Sequence, residues 1–115
     1  MTQDKELLLK DLCSRLPYGV KVNEDIQGDA TLIGLTKERA FTTCEVEGYC
    51  NDFPIELVKP YLFPLSSMTE KQKIELTCII DSDYAQIDWY NKNHFDYRGL
   101  IPMGMAIDAT GLNVY

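Results

Sequence analysis

Val20-Lys21-Val22-Asn23-Glu24-Asp25-Ile26-Gln27-Gly28-Asp29-Ala30-Thr31-Leu32-Ile33-Gly34-Leu35 decides the fold class of this chain. Val20 and Val22 alternate with Lys21 and Asn23, which sets the valines on one face of an extended strand and the polar pair on the other. Gln27-Gly28-Asp29 supplies a turn, and residues 31–35 read as the returning strand. Residues 36–39 are polar enough to reverse the chain again. Residues 40–46 are rich in the aromatic and β-branched types that suit a pleated surface. Glu47-Gly48 then makes a tight connection into a fourth strand, residues 49–53, which Pro54 stops. Short strands joined by tight turns predict an antiparallel meander. Curled on itself it would be a small SH3-like barrel; left open it would be a sheet packed by helices.

Helices are predicted on both sides of the meander. Over residues 4–15, Leu8, Leu12 and Leu16 recur at a spacing of four, Leu9 and Cys13 widen the stripe, and Lys5, Glu6, Lys10 and Asp11 fall elsewhere. Pro17 ends that helix. After one helical turn at residues 55–58, Lys59-Pro60-Tyr61-Leu62-Phe63-Pro64-Leu65 is extended, and its two prolines, each without an N–H, predict a place on the sheet edge. Thr69 with Gln72, and Ser67 with Glu70, match a capping box, so a helix starts near residues 68–70 and runs to Ile80. Asp81, Ser82 and Asp83 offer caps for a second helix that carries Tyr84, Ile87, Tyr90 and Asn91 and ends near Asn93. Gly99, Pro102 and Gly104 break the C-terminal stretch, leaving loop or an added strand at residues 105–108. The reading is a single α+β domain over residues 1–115: an N-terminal helix, a small antiparallel meander and two C-terminal helices.

A chain of 115 residues, 45% hydrophobic and 25% charged, is long enough for one self-sufficient core. Its net charge of −7 disfavours direct binding to phosphate backbones or anionic membranes. The acids gather at Glu45, Glu47, Asp52 and Glu56, and again at Glu75, Asp81, Asp83, Asp88, Asp96 and Asp108, as a solvated face or as a patch for a basic partner. No secretory leader and no apolar run near 18 residues is read, so a cytoplasmic protein is expected. In that reducing compartment Cys13, Cys44, Cys50 and Cys78 are expected as free thiols serving as small buried hydrophobes.

No reaction chemistry announces itself. The nearest cysteine pair, Cys44 and Cys50, is wider than zinc spacing, and a Cys/His site would have to borrow the lone His94. Nucleophile elbow, phosphate-binding glycine loop and calcium-loop spacing are all missing, and Asp81 and Asp83 are explained as caps. No metal and no cofactor is expected. Trp89-Tyr90-Asn91-Lys92-Asn93-His94-Phe95-Asp96-Tyr97-Arg98-Gly99-Leu100 stands out instead. Either Trp89, Phe95 and Tyr97 close one end of the core with Arg98 paired to a nearby acid such as Asp96, or Trp89, Tyr90, His94, Tyr97 and Arg98 form a patch of the residue types enriched at interface hot spots.

Lys59-Pro60-Tyr61-Leu62-Phe63-Pro64-Leu65-Ser66-Ser67-Met68-Thr69-Glu70, then Asn93-His94-Phe95-Asp96-Tyr97-Arg98-Gly99-Leu100-Ile101 and Gly104-Met105-Ala106, resemble a family of small uncharacterised proteins of gut bacteria and their phages. With the N-terminal leucine helix the similarity covers nearly the whole chain. Members usually carry arginine where this chain has Phe63, and a tail richer in glutamate. The resemblance implies an intracellular phage or mobile-element accessory protein and no particular activity. The leading expectation is a non-enzymatic domain that binds a protein partner. An acidic decoy for a nucleic-acid-binding host protein and a small enzyme using His94 are the alternatives.

Overall fold

The structure, a computed structural model, describes residues 3–44, 48–79 and 83–115. Helix α1 (Gln3–Arg15) buries Leu8 and Leu12 as its spacing predicts, and the same side also buries Asp11 and Arg15. It passes into a short 3-10 turn, Leu16–Tyr18, which ends at Gly19 with φ 66°, a left-handed geometry that only glycine takes without strain.

Strands β1 (Lys21–Glu24), β2 (Gly28–Leu35), β3 (Arg39–Thr43) and β4 (Cys50–Pro54) form the expected antiparallel meander. Strand β5 (Val58–Pro64), followed by β6 (Phe95–Asp96) and β7 (Ile107–Asp108), completes it. The order is β4-β3-β2-β1-β5-β6, with β7 also on β5. Among the described residues β4 pairs only with β3, so the sheet is open and the SH3-like barrel is not formed. Closure needs the two end strands to meet. Here β5 is followed instead by two-residue parallel pairings from the C-terminal region.

The proline-bearing segment lies inside the sheet, correcting its expected edge position. Tyr115 Oη donates to the Tyr61 carbonyl at 2.8 Å and accepts from the Lys21 N–H at 2.9 Å, so Tyr61 addresses β1. Leu62 addresses the opposite side, accepting from the Ala109 N–H at 2.8 Å. Alternation then points the N-side of Pro60 away from β1, and the missing donor removes no bond of the β1–β5 ladder. The hydrogen-bond parity of a strand decides whether proline is tolerated, and composition does not reveal that parity.

Val20, Val22, Leu32, Ala40, Ile55, Val58 and Leu62 meet Leu8, Leu12, Leu100 and Ala106 in one core beneath α1. Helix α2 (Glu70–Thr77) begins with the Thr69–Gln72 capping box, while Ser67, the other expected cap, donates its hydroxyl to the Pro64 carbonyl. It ends before Cys78, short of the expected Ile80, which lies outside the described residues with Asp81 and Ser82. Helix α3 spans Asp83–Lys92. The third strand ends at Thr43, and the expected continuation to Val46 and the Glu47 connection lie outside the described residues. Among the described residues no helix is long and apolar enough to cross a membrane.

Candidate functional site

The end of α3 assembles the site. Asn93 N–H bonds the Trp89 carbonyl at 3.0 Å and His94 N–H the Asn91 carbonyl at 3.2 Å, after which His94 turns left-handed with φ 62°. A non-glycine residue there costs about 1–2 kcal/mol, and the turn aims the chain back at the sheet. The His94 carbonyl accepts from Phe63 N–H at 2.8 Å, starting β6. The imidazole stacks on Tyr115, centroids 3.8 Å apart and planes 9° apart, which holds the last residue of the sequence across β1 and β5.

Beneath this turn lies a charged cluster. Asp11 Oδ2 accepts from Arg15 Nε at 2.9 Å and Asp11 Oδ1 from Arg98 Nε at 3.1 Å, so one buried carboxylate joins two guanidinium groups. Arg15 Nη2 also donates to the Phe95 carbonyl at 2.6 Å. Arg98 Nη2 donates to Ser14 Oγ at 3.2 Å and Tyr97 Oη at 2.8 Å. The Tyr97 ring lies 5.4 Å from the Arg15 guanidinium and 4.7 Å from that of Arg98. Buried charges are tolerated when paired and hydrogen-bonded in this way. Arg98 thus pairs with an acid as expected, but the acid is Asp11 and not the nearby Asp96. Asp96 instead accepts the backbone N–H groups of Leu100 and Ile101 at 2.8 and 2.9 Å, and its oxygens are thereby committed to the turn.

Rings extend the cluster outward. Trp89 stacks on Phe95 at 5.5 Å, Tyr90 on Tyr97 at 5.6 Å, and Trp89 meets Tyr90 edge-on at 5.9 Å. Of the five residues singled out in the sequence, Trp89, Tyr90, Tyr97 and Arg98 come together through these contacts, while the His94 ring stacks apart from them on Tyr115. Trp89, Tyr90, Tyr97 and Arg98 are half-buried and His94 is buried, so the group joins α1, α3 and β6 while showing only partial faces to solvent. Burial, and secondarily the Arg15 charge, push the His94 pKa down to about 4. The ring is neutral near pH 7, and among the described residues it bonds no thiol or carboxylate. Burial likewise raises the Tyr115 phenol far above its ordinary value.

Asp11 and Arg15 were hidden in the sequence as ordinary polar positions of α1. Their four-residue spacing marks a helical ion pair, and nothing in composition says that it faces inward. The cysteines also depart from expectation: Cys13, Cys50 and Cys78 are exposed and Cys44 is half-buried, so none fills the core. Among the described residues no group of three or more His, Cys, Asp or Glu could hold a metal.

A second feature lies on the two C-terminal helices. α2 fully buries no residue, and its Ile74 is 62% exposed. On α3, Tyr84 is 82% and Ile87 39% exposed, and Gln86 Nε2 ties α3 to the end of α2 through the Ile79 carbonyl at 3.2 Å. Glu75, Asp83 and Asp88 are exposed on the same helices, and no ion pair engages them among the described residues. No family model matches the chain, and comparison with curated proteins and with solved structures found no match.

Proposed function

We propose that the protein is a non-enzymatic interaction domain whose partner docks on the outer side of α2 and α3, with Trp89 and Tyr90 at the rim and His94, Tyr97 and Arg98 as the buttress behind them. The observation that carries this reading is a well-capped helix, α2, that fully buries no residue, with Leu76 only half-buried, and holds Ile74 out to solvent. Eight residues are too few for a helix to persist by propensity, and a cap contributes only about 1 kcal/mol. A partner surface would supply the burial that the domain does not. The free carboxylates Glu75, Asp83 and Asp88 favour a protein with an apolar centre and a basic rim. On this reading the protein works in the cytoplasm as a phage or mobile-element accessory, the context that its Lys59–Glu70 and Asn93–Ile101 words imply.

The test is affinity capture from a bacterial host with three chains: wild type, Ile74→Glu/Tyr84→Ser/Ile87→Glu, and Ile26→Ser as an exposed control away from both helices. Because all four positions are exposed, the variants should unfold within about 0.5 kcal/mol per substitution of wild type. A partner kept by the control and lost by the triple variant is expected. Identical captures from all three chains would reject the docking face.

A further inference from the structure

We propose that the inner face of the sheet, where β1 to β4 border the core cluster, carries a binding site for a small alkylammonium group. A cavity of about 270 Å³ opens there. Val22 and Phe53 form an apolar wall, and Glu24, Thr42 and Asn51 form a polar end. Alternation along the strands puts Glu24 on the same side as the core valine Val22, and Thr42 on the same side as Ala40.

Among the described residues one buried polar atom of this cavity lacks a partner, and one carboxylate oxygen beside it is unbonded. Thr42 is only 2% exposed, and its Oγ1 has no hydrogen bond among the described residues. Buried hydroxyls are ordinarily satisfied, so an orphan in a cavity wall points to a guest. Glu24 is 5% exposed; its Oε2 accepts the Ile26 and Gln27 N–H groups at 3.1 and 2.8 Å and closes the β1–β2 turn, while its Oε1 accepts no hydrogen bond among the described residues. Asn51, half-buried, stands opposite Thr42 in the β3–β4 register. The complement of one carboxylate oxygen, one hydroxyl and one amide beside an apolar wall is a compact cation with several N–H donors and a short hydrocarbon stem. Carboxylate or phosphate guests would meet Glu24 as a like charge. Asp29 also lines the cavity, but its Oδ1 already accepts from Asn23 Nδ2 and Tyr61 Oη, which leaves too few open oxygens for a divalent cation that takes several oxygen ligands. The volume suits a guest of a few heavy atoms, below the usual range for drug-sized molecules. A free amine and a lysine side chain of a partner protein share this chemistry. The inference stands independently of the α2–α3 docking face.

The experiment is an amide-resolved NMR titration of the full chain with n-butylammonium, with 1-butanol as the uncharged match, and with an acetylated peptide bearing one lysine or norleucine in its place. Saturable shifts centred on Gly28, Thr42 and Asn51, from the ammonium and not the alcohol, are expected. Glu24→Gln should weaken binding at least about tenfold by removing the charge. Thr42→Val should weaken it about threefold while raising the thermal midpoint, because an unpaired hydroxyl is removed; this second variant keeps the test decisive if Glu24→Gln loosens the turn. Tighter binding of the lysine peptide than of the free amine would assign a protein source, and the reverse a small-molecule source. Absence of saturable shifts, equal shifts with 1-butanol, or undiminished binding by Thr42→Val would overturn the proposal and leave a cavity holding water alone.

Discussion

Asp11 is the residue on which the aromatic end of the molecule depends. Its carboxylate is the shared counter-charge of Arg15 and Arg98, and Arg15 is fully buried. Removing one partner of a buried charge group leaves the other uncompensated, so Asp11→Ala should cost about 3–5 kcal/mol, read as a lower urea midpoint. A cost below about 1 kcal/mol would mean that the two guanidinium groups find water instead. His94 makes a pH prediction of definite sign. Its pKa is about 4 in the folded chain against 6.5 for the free side chain, so the unfolded state takes up the proton first. Its contribution is full above pH 6.5 and declines as pH falls toward 4, by about 3 kcal/mol in all. His94→Asn, which tolerates the left-handed backbone, should flatten the stability profile between those limits in urea titrations at stepped pH. An unchanged slope would place the titration elsewhere. The sequence made His94, Tyr97 and Arg98 visible by residue type alone. It concealed Asp11 and Arg15, because an inward-facing ion pair and an outward-facing one have the same spacing.

At the scale of elements, local signals were legible where they act locally. The capping box at Thr69 and Gln72 fixes the start of α2, the leucine spacing fixes α1, and the valine alternation fixes β1. What escaped was the placing of β5, since proline forbids a ladder bond only on the side its nitrogen faces, and that side is set by tertiary pairing. A helix that fully buries no residue also has a testable energetic signature. Thr69→Ala should remove about 1 kcal/mol from α2 itself and leave the global thermal midpoint almost unchanged. Hydrogen exchange should accordingly quicken at residues 72–77 and stay the same in β1 and β5. Global destabilisation by Thr69→Ala would show instead that α2 is coupled to the core.

Across the whole molecule, the α+β class was legible from the order of patterned segments, and the choice between barrel and open sheet was not. Closure depends on whether distant strands meet, and no local pattern in residues 20–53 encodes it. The acid excess was equally visible, and the helices on which part of it stands exposed beside Ile74, Tyr84 and Ile87 emerge only from the fold. The proposed recognition role rests on that arrangement: a body tied together by Asp11, Arg15 and Arg98, with α3 fastened to it through Trp89 and Tyr90 and α2 only lightly packed. The decisive measurement is in-cell photocrosslinking from a benzophenone side chain placed in turn at Ile74, Tyr84 and the control position Ile26. A discrete basic-rimmed protein captured from positions 74 and 84 and not from 26 is the expected result. No adduct from any position, or the same adducts from all three, would contradict a docking face on α2 and α3.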